Sequence, residues 1–396
     1  MSDPAKMLRA ATVDGLVRGE TLHAWSEGNA GLVADAVEYR GTPGVLLAYT
    51  NPPVHQVGNP GLDAYLAALA AVTARRDDFR FLILSGRCDP AHAGGDIRES
   101  LARLDATWEQ VREREAAGAS AAEIDALFDW GDARLDKGIA LSTAIRGLAS
   151  SMTVVAICGG GARFGGSAEI PLMADVIVAD SRSGMCFSEV QIGLIPGWGG
   201  VGRAVGKAGF ANAKAMAYTA EIVKAGELAA MGIVDVLVPV ERALPRFVKT
   251  GDKGADKARY LDALADNEAQ TAPLLLAPAL DAALDPPADG ERSADSRSWD
   301  REAIVRRADP ATYDDLYGRP LREVKEEIKT LGKPLAPQSV ASLDELFARF
   351  EGEARFDEEA FILAEKAADG ALYRDPRFRA GIVATLGQTV ADFRRP

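Results

Sequence analysis

Disulfide and metal chemistry have little to draw on in this chain. Its three cysteines (Cys88, Cys158 and Cys186) are odd in number, show no CxxC spacing and read as reduced and structural, while its three histidines (His23, His55 and His92) stand at no metal-ligand spacing. Neither a metal site nor a histidine-based triad is expected. Positive charge is also scarce: 45 Lys and Arg against 58 Asp and Glu leave −13 at pH 7. That balance lacks the basic footprint that nucleic acid or an anionic membrane surface requires, although it leaves room for a small anionic ligand at a local site. No apolar run approaches the ~20 residues of a membrane span, and the first ten residues, MSDPAKMLRA, hold no apolar signal core. A cytoplasmic location, with neither nucleic acid nor membrane as partner, is the expectation. What is present is ordinary globular material: 47% of the 396 residues are hydrophobic and 26% charged, enough for one or two domains with a sizeable core.

From about Val37 to Ala179 strand-like runs alternate with helical ones, the pattern of a layered α/β fold. Strands are expected at Val45–Tyr49, Phe79–Leu84, Thr153–Cys158 and Val176–Ala179. After the breaker GNPG, the residues Leu62, Tyr65, Leu66, Leu69 and Val72 recur at helical spacing. Between 101 and 137 lies a helical insertion with a stripe at Leu101, Leu104, Trp108 and Val111. AAGAS breaks it, a second stripe follows at Ile124, Leu127 and Phe128, and a third helix carries Leu135, Ile139, Ser142 and Ile145. These stripes read as packing faces. Past Val238 the composition shifts to Ala and Asp, and the polar stretch at 285–300 reads as a mobile linker or a surface excursion. Order resumes with a helix carrying Leu321, Val324, Ile328 and Leu331, and another with Leu343, Leu346, Phe347 and Phe350. Asp357 and the pair Asp375-Pro376 mark two further helix starts. The expected organisation is therefore a core over 1–245 with its helical insertion at 101–137, an extension over 246–335, and a C-terminal helical region over 336–396.

Chemistry is concentrated where glycine and carboxylate meet. Glu169 and Glu189 stand twenty residues apart, each beside a glycine-rich turn, in FGGSAEIPLMADVIVAD and MCFSEVQIGLIPGWGG. Paired carboxylates suit acid/base work on water or a carbon acid. The loop AHAGGDIRE follows the strand FLILSG, and GGGARFGGSAEI follows TVVAIC. In both, glycine lets backbone N–H groups face a ligand without a side chain in the way, so each loop can offer one donor to a developing oxyanion. Either loop alone has a purely conformational explanation; two loops, each following a strand, that can supply two donors to one carbonyl oxygen are more specific. Pro171 fits a short helix beginning near Ser167, with the proline in its first turn.

These segments, with AMAYTAEIVKAGELAAMGIVDVLVP after them, resemble the crotonase (enoyl-CoA hydratase/isomerase) superfamily over roughly Val37 to Pro239. The resemblance implies an α/β fold, a spiral of repeated ββα turns with a helical C-terminal region, and an enzyme acting on acyl-CoA. It places the oxyanion-hole N–H groups on Gly95 and Gly166 and the two catalytic carboxylates on Glu169 and Glu189. Ala93, Asp96, Ile97 and Trp198 fall at substrate-binding positions, with Asp96 also expected to cap the helix that follows. It implies a homotrimer or dimer of trimers, no metal, and no cofactor beyond the coenzyme A of the substrate.

The chain departs from that pattern in three places. TNPPVHQVGNPGL replaces the usual turn after the first strand, with His55 facing the ligand as one outcome. The 101–137 insertion directly follows Gly95 and Asp96, which points to a bulky or cyclic acyl group. The C-terminal layout resembles 3-hydroxyisobutyryl-CoA hydrolases, whose active sites usually lack a carboxylate at the position of Glu169 and carry an aspartate where this chain has Gly197. The active-site residues favour water addition to a 2-enoyl-CoA or its reverse. Thioester or C–C hydrolysis, double-bond isomerisation and plain acyl-CoA binding are the alternatives.

Overall fold

A computed structural model describes residues 11–85, 91–240, 250–288 and 297–394. Cys88 and the stretch 289–296 of the expected linker lie outside them. The chain divides into two compact units: the first comprises residues up to Gly95, Ala140–Cys186 and Ile222–Ala294, and the second Asp96–Ile139, Phe187–Glu221 and Asp295 onward. The boundary between Ile139 and Ala140 falls inside one helix, Asp129–Ala149.

All strands of the described residues belong to the first unit. β1 (Leu16–Glu27), β2 (Ala30–Tyr39), β3 (Thr42–Thr50), β4 (Phe81–Ser85), β6 (Thr153–Cys158), β8 (Val176–Asp180) and β11 (Val236–Val238) form a seven-stranded sheet in the order β1-β2-β3-β4-β6-β8-β11. Pairing is antiparallel from β1 to β3 and parallel from β3 onward, with Val45 beside Leu82 and Leu82 beside Val154. The short strands β5 (Ala91–His92), β7 (Ala162–Phe164), β9 (Gly184–Cys186) and β10 (Val223–Lys224) form a second sheet in the order β10-β9-β7-β5. Each turn of chain thus lays one strand in the large sheet and one in the small sheet, and a helix usually precedes the next turn. This is the expected ββα spiral. The strands of the small sheet had weak sequence signals, because two- and three-residue strands carry no readable alternation; the hairpin β1–β2 was not among the expected strands.

The four expected strands all form, and the helix after GNPG runs Asn59–Thr73 with Leu62, Tyr65, Leu69 and Val72 buried. On one face of the large sheet, Leu46, Phe81, Ile83, Val155, Ile157, Val176 and Val178 share a core cluster with Leu275, Leu276, Ala279 and Leu280. The last four lie on the 32-residue helix Lys253–Leu284. The Ala- and Asp-rich composition of that segment is therefore the signature of a packed helix: alanines sit close to the sheet, and aspartates face out or pair, as Asp281 does with the Tyr39 hydroxyl at 2.8 Å.

Among the described residues the regular elements of the second unit are all helices, joined by turns and irregular segments. The insertion forms helix Ile97–Ala116, which buries Leu104, Thr107 and Val111, and Ala121–Asp125, opened by a Ser120/Glu123 capping box. Asp357 and Asp375 cap helices Glu358–Leu372 and Pro376–Gly387 as expected. The helix expected over Leu321 to Leu331 is shorter, Lys325–Leu331. Leu321 spends its N–H on Gln388 O at 2.9 Å, yet still packs beside Tyr313, Val324 and Val390. The stripe marked the packing face, with Val324 buried and Leu321, Ile328 and Leu331 partly buried, but tertiary hydrogen bonding replaced its first turn. Beyond 296 the polar stretch is anchored: Trp299 stacks on Tyr218 at 5.2 Å, and Arg297 N–H donates to Asn212 Oδ1 at 2.8 Å. No helix of the described residues is long and apolar enough to cross a membrane.

Leu280 is fully buried in the cluster between helix and sheet. Leu280→Ala should lower unfolding free energy by about 2–5 kcal/mol. Urea titration followed by circular dichroism measures it, and a loss well under 1 kcal/mol would mean that the helix does not pack there.

Candidate active site

In the first unit, the loop after β5 is tied down residue by residue. Ala93 N–H donates to Val54 O, and Val57 N–H to Gly94 O, both at 2.8 Å. Gly94 has φ +78°, and a Cβ there would stand 2.4 Å from Phe164 O, so only glycine fits. Its own N–H donates to Ser167 Oγ at 3.2 Å. Gly95 pairs with Val57 through an isolated bridge.

Ser167 belongs to the short helix Gly166–Leu172, entered through Gly165 at φ +52°, ψ −134°, a conformation closed to side chains. Gly165 N–H donates to Cys186 O at 3.0 Å, while its carbonyl accepts from Ala168 and Glu169. Gly166 therefore occupies the first helical position, where the backbone N–H has no intrahelical acceptor. Pro171 sits in the second turn and not the first. The cost is small because the helix ends at Leu172, so the proline displaces a single hydrogen bond. Glu169 is 2% exposed. The Gly94–Ser167 bond thus brings together two glycine loops 73 residues apart in sequence, with Gly95 and Gly166 each one residue from the contact.

The other predicted residues lie in the second unit. Asp96 caps helix Ile97–Ala116, accepting from Arg98 N–H at 2.9 Å and Glu99 N–H at 3.3 Å. Ile97 is its first residue. Glu189 opens a single 3-10 turn, Glu189–Gln191, and is buried, at 8% exposure. Its carbonyl accepts from Ile192 and Leu194. Trp198 is 5% exposed and packs against Gly138, where a Cβ would meet its ring at 2.1 Å.

Two residues missed in the sequence hold this turn. Asp369, buried on helix Glu358–Leu372, accepts from Ile195 N–H at 3.0 Å, and its second oxygen lies 2.5 Å from where a Cβ on residue 197 would stand. Glu365, one helical turn earlier and fully buried, accepts from Val201 N–H at 3.3 Å and Gly202 N–H at 2.9 Å, capping helix Gly200–Thr219. The available signal was two acids at i and i+4 on the face that also carries Phe361, Ile362 and Leu372. Ser167 was missed too; its signal was a hydroxyl between a double glycine and a carboxylate.

The enoyl-CoA hydratase/isomerase family profile matches residues 138–274. A mitochondrial enoyl-CoA hydratase of Pongo abelii is 30% identical over 112 residues, 28% of this chain and 39% of that protein. A crotonyl-CoA hydratase of Syntrophomonas wolfei is 29% identical over 218 residues, 53% of this chain and 73% of that protein. The first curated relatives are matched over only 25%, 39% and 38% of their own length. Among solved structures, an enoyl-CoA hydratase from Rhodobacter sphaeroides aligns with TM-score 0.52 at 15% identity, over 94% of this chain and 89% of that one, a likeness of fold.

Ser167→Ala would leave the buried Gly94 N–H without its acceptor. Loss of about 1–3 kcal/mol of stability is expected, with Ser167→Thr retaining most of it. Denaturant titration of both variants reads the effect, and equal stability of Ser167→Ala and the parent would remove the contact from the account.

Proposed function

We propose that this chain, whose residues 138–274 match the enoyl-CoA hydratase/isomerase family profile, is an acyl-CoA lyase of the crotonase superfamily that adds water to a 2-enoyl-CoA, or removes it from the hydrated product. Coenzyme A enters as part of the substrate, and no separate cofactor is used. The observation that carries this reading is the Gly94–Ser167 contact, which joins the two glycine loops next to buried Glu169.

In the proposed reaction the thioester carbonyl accepts hydrogen bonds from Gly95 and Gly166 N–H groups, which stabilise the enolate oxygen more than the ground-state carbonyl. Glu169 takes a proton from water as its oxygen bonds to the β-carbon. Glu189 delivers a proton to the α-carbon as the enolate collapses, which restores the thioester. Ala93, Asp96, Ile97 and Trp198 are assigned to substrate binding. The hydrolase reading is less favoured, because the Asp369 carboxylate already fills the space that an aspartate side chain at position 197 would enter. A trimer or dimer of trimers is proposed from the family resemblance, and exposed Leu363 and Val383 on the last two helices are compatible with it.

Glu169→Gln and Glu189→Gln should each keep the fold while lowering turnover of crotonyl-CoA or a larger enoyl-CoA by ~10²–10⁴. The assay follows loss of the conjugated double bond together with release of free thiol. Thiol release would replace hydration by hydrolysis, and full turnover by Glu169→Gln would favour a single-carboxylate isomerase.

The proposed acyl group is bulky or cyclic, because the helical insertion leaves the chain immediately after Gly95 and Asp96, where long insertions commonly shape substrate access. A size-graded enoyl-CoA series should therefore show higher kcat/KM for branched, cyclic or aromatic acyl groups than for crotonyl-CoA. Preference for crotonyl-CoA over all of them would leave the insertion a packing element.

A further inference from the structure

A second polar cluster lies within the first unit and shares only Ser167 with the site described above. A cavity of about 40 Å³ is lined by Tyr49, His55, Ser85, His92, Arg163 and Ser167, together with apolar neighbours. Arg163 is 5% exposed. Its Nη2 donates to Ile157 O at 3.0 Å, and its Nε is buried with no hydrogen-bond partner. Among the described residues no carboxylate pairs with it. The neighbouring Cys158 offers no counter-charge, since burial pushes its thiol up against the opposing pull of Arg163.

His55 Nδ1 accepts from Asn51 N–H at 3.0 Å, so the ring proton sits on Nε2. The His55 and His92 rings lie 4.9 Å apart. Tyr49 is already committed, donating to Gln56 O at 2.8 Å. Ser167 Oγ accepts from Gly94 N–H, which leaves its hydroxyl proton to be donated elsewhere. An isolated cation buried in a protein is costly, and the usual remedies are a counter-ion or a shifted protonation state; a guanidinium does not deprotonate. The cavity exceeds the ~10–15 Å³ that one water-sized particle needs.

We propose that this cavity binds one halide-sized monovalent anion, held by the Arg163 guanidinium and the Ser167 hydroxyl. The site is independent of the hydratase reading, yet it touches the same serine that joins the two glycine loops, so occupancy would also orient the Ser167 hydroxyl toward its role as acceptor for Gly94.

The test uses the full-length protein, exchanged into sodium gluconate and titrated with sodium chloride or bromide at constant ionic strength while Tm is read. Saturation within tens of millimolar, with a total rise on the order of 2 °C, is expected for the parent and its absence for Arg163→Met. Crystals soaked in bromide should give an anomalous peak within hydrogen-bonding reach of Arg163 Nε or Ser167 Oγ. A Tm that climbs without saturation and equally in parent and variant means generic salt action, and it overturns the site. Absence of the bromide peak does the same, leaving water in the cavity. Should Arg163→Met fail to fold, the parent's titration and the bromide crystal decide the matter.

Discussion

Two stretches of backbone in the first unit lie closer together than side chains permit, and its candidate site depends on that approach. At Gly94 any Cβ would collide with the Phe164 carbonyl oxygen, and at Gly165 the dihedral angles exclude side chains. Once glycine permits the approach, hydrogen bonds hold it: Gly94 to Ser167, Val57 to Gly94, Gly165 to Cys186. Each bond uses a buried backbone group that would otherwise be costly to leave unpaired. Two N–H groups, at Gly95 and Gly166, are thereby carried on loops that cannot drift independently. Preorganisation of this kind lets a donor stabilise charge without moving at the moment of reaction.

The second unit solves a similar problem by a different device. The turn after Glu189 is rich in glycine and short of regular structure, so its N–H groups need acceptors from elsewhere. Asp369 and Glu365 supply them from one face of a C-terminal helix. Carboxylate acceptors make stronger hydrogen bonds than neutral ones, which suits a turn that is buried and has few side chains of its own. Arg203 adds donors to the carbonyls of Trp198 and Gly199, both at 3.0 Å. The C-terminal region thus acts as a clamp on the Glu189 turn. Gly197 is a consequence of the clamp, because the Asp369 carboxylate takes the volume that a side chain there would need.

Legibility differed by element. The strands β3, β4, β6 and β8 were readable because each is a short, largely buried apolar run, and the helices of the insertion because their stripes repeat at helical spacing. The strands β5, β7, β9 and β10 were not, since two or three residues carry no periodicity. The helix Lys253–Leu284 was seen only as a change in composition, because its small alanines pack closely without producing a strong apolar stripe. For Leu321 the burial was legible and the backbone was not: its N–H found a partner on Gln388, 67 residues away in the chain.

By itself the sequence determined the alternation of strand and helix in a layered α/β fold, the two glycine loops and the two glutamates beside glycine-rich turns, because these depend on local residue type and spacing. Helix caps at Asp96, Asp357 and Asp375 belong with them, since capping is a contact within one turn. Only the tertiary structure decided that Ser167 receives Gly94, that Asp369 and Glu365 hold the turn after Glu189, and that Arg163 shares a cavity with His55 and His92. The partners in the first two contacts stand 73 to 174 residues apart. Hydrogen bonding and burial at that separation follow from how the elements pack, and packing leaves no local pattern in the chain.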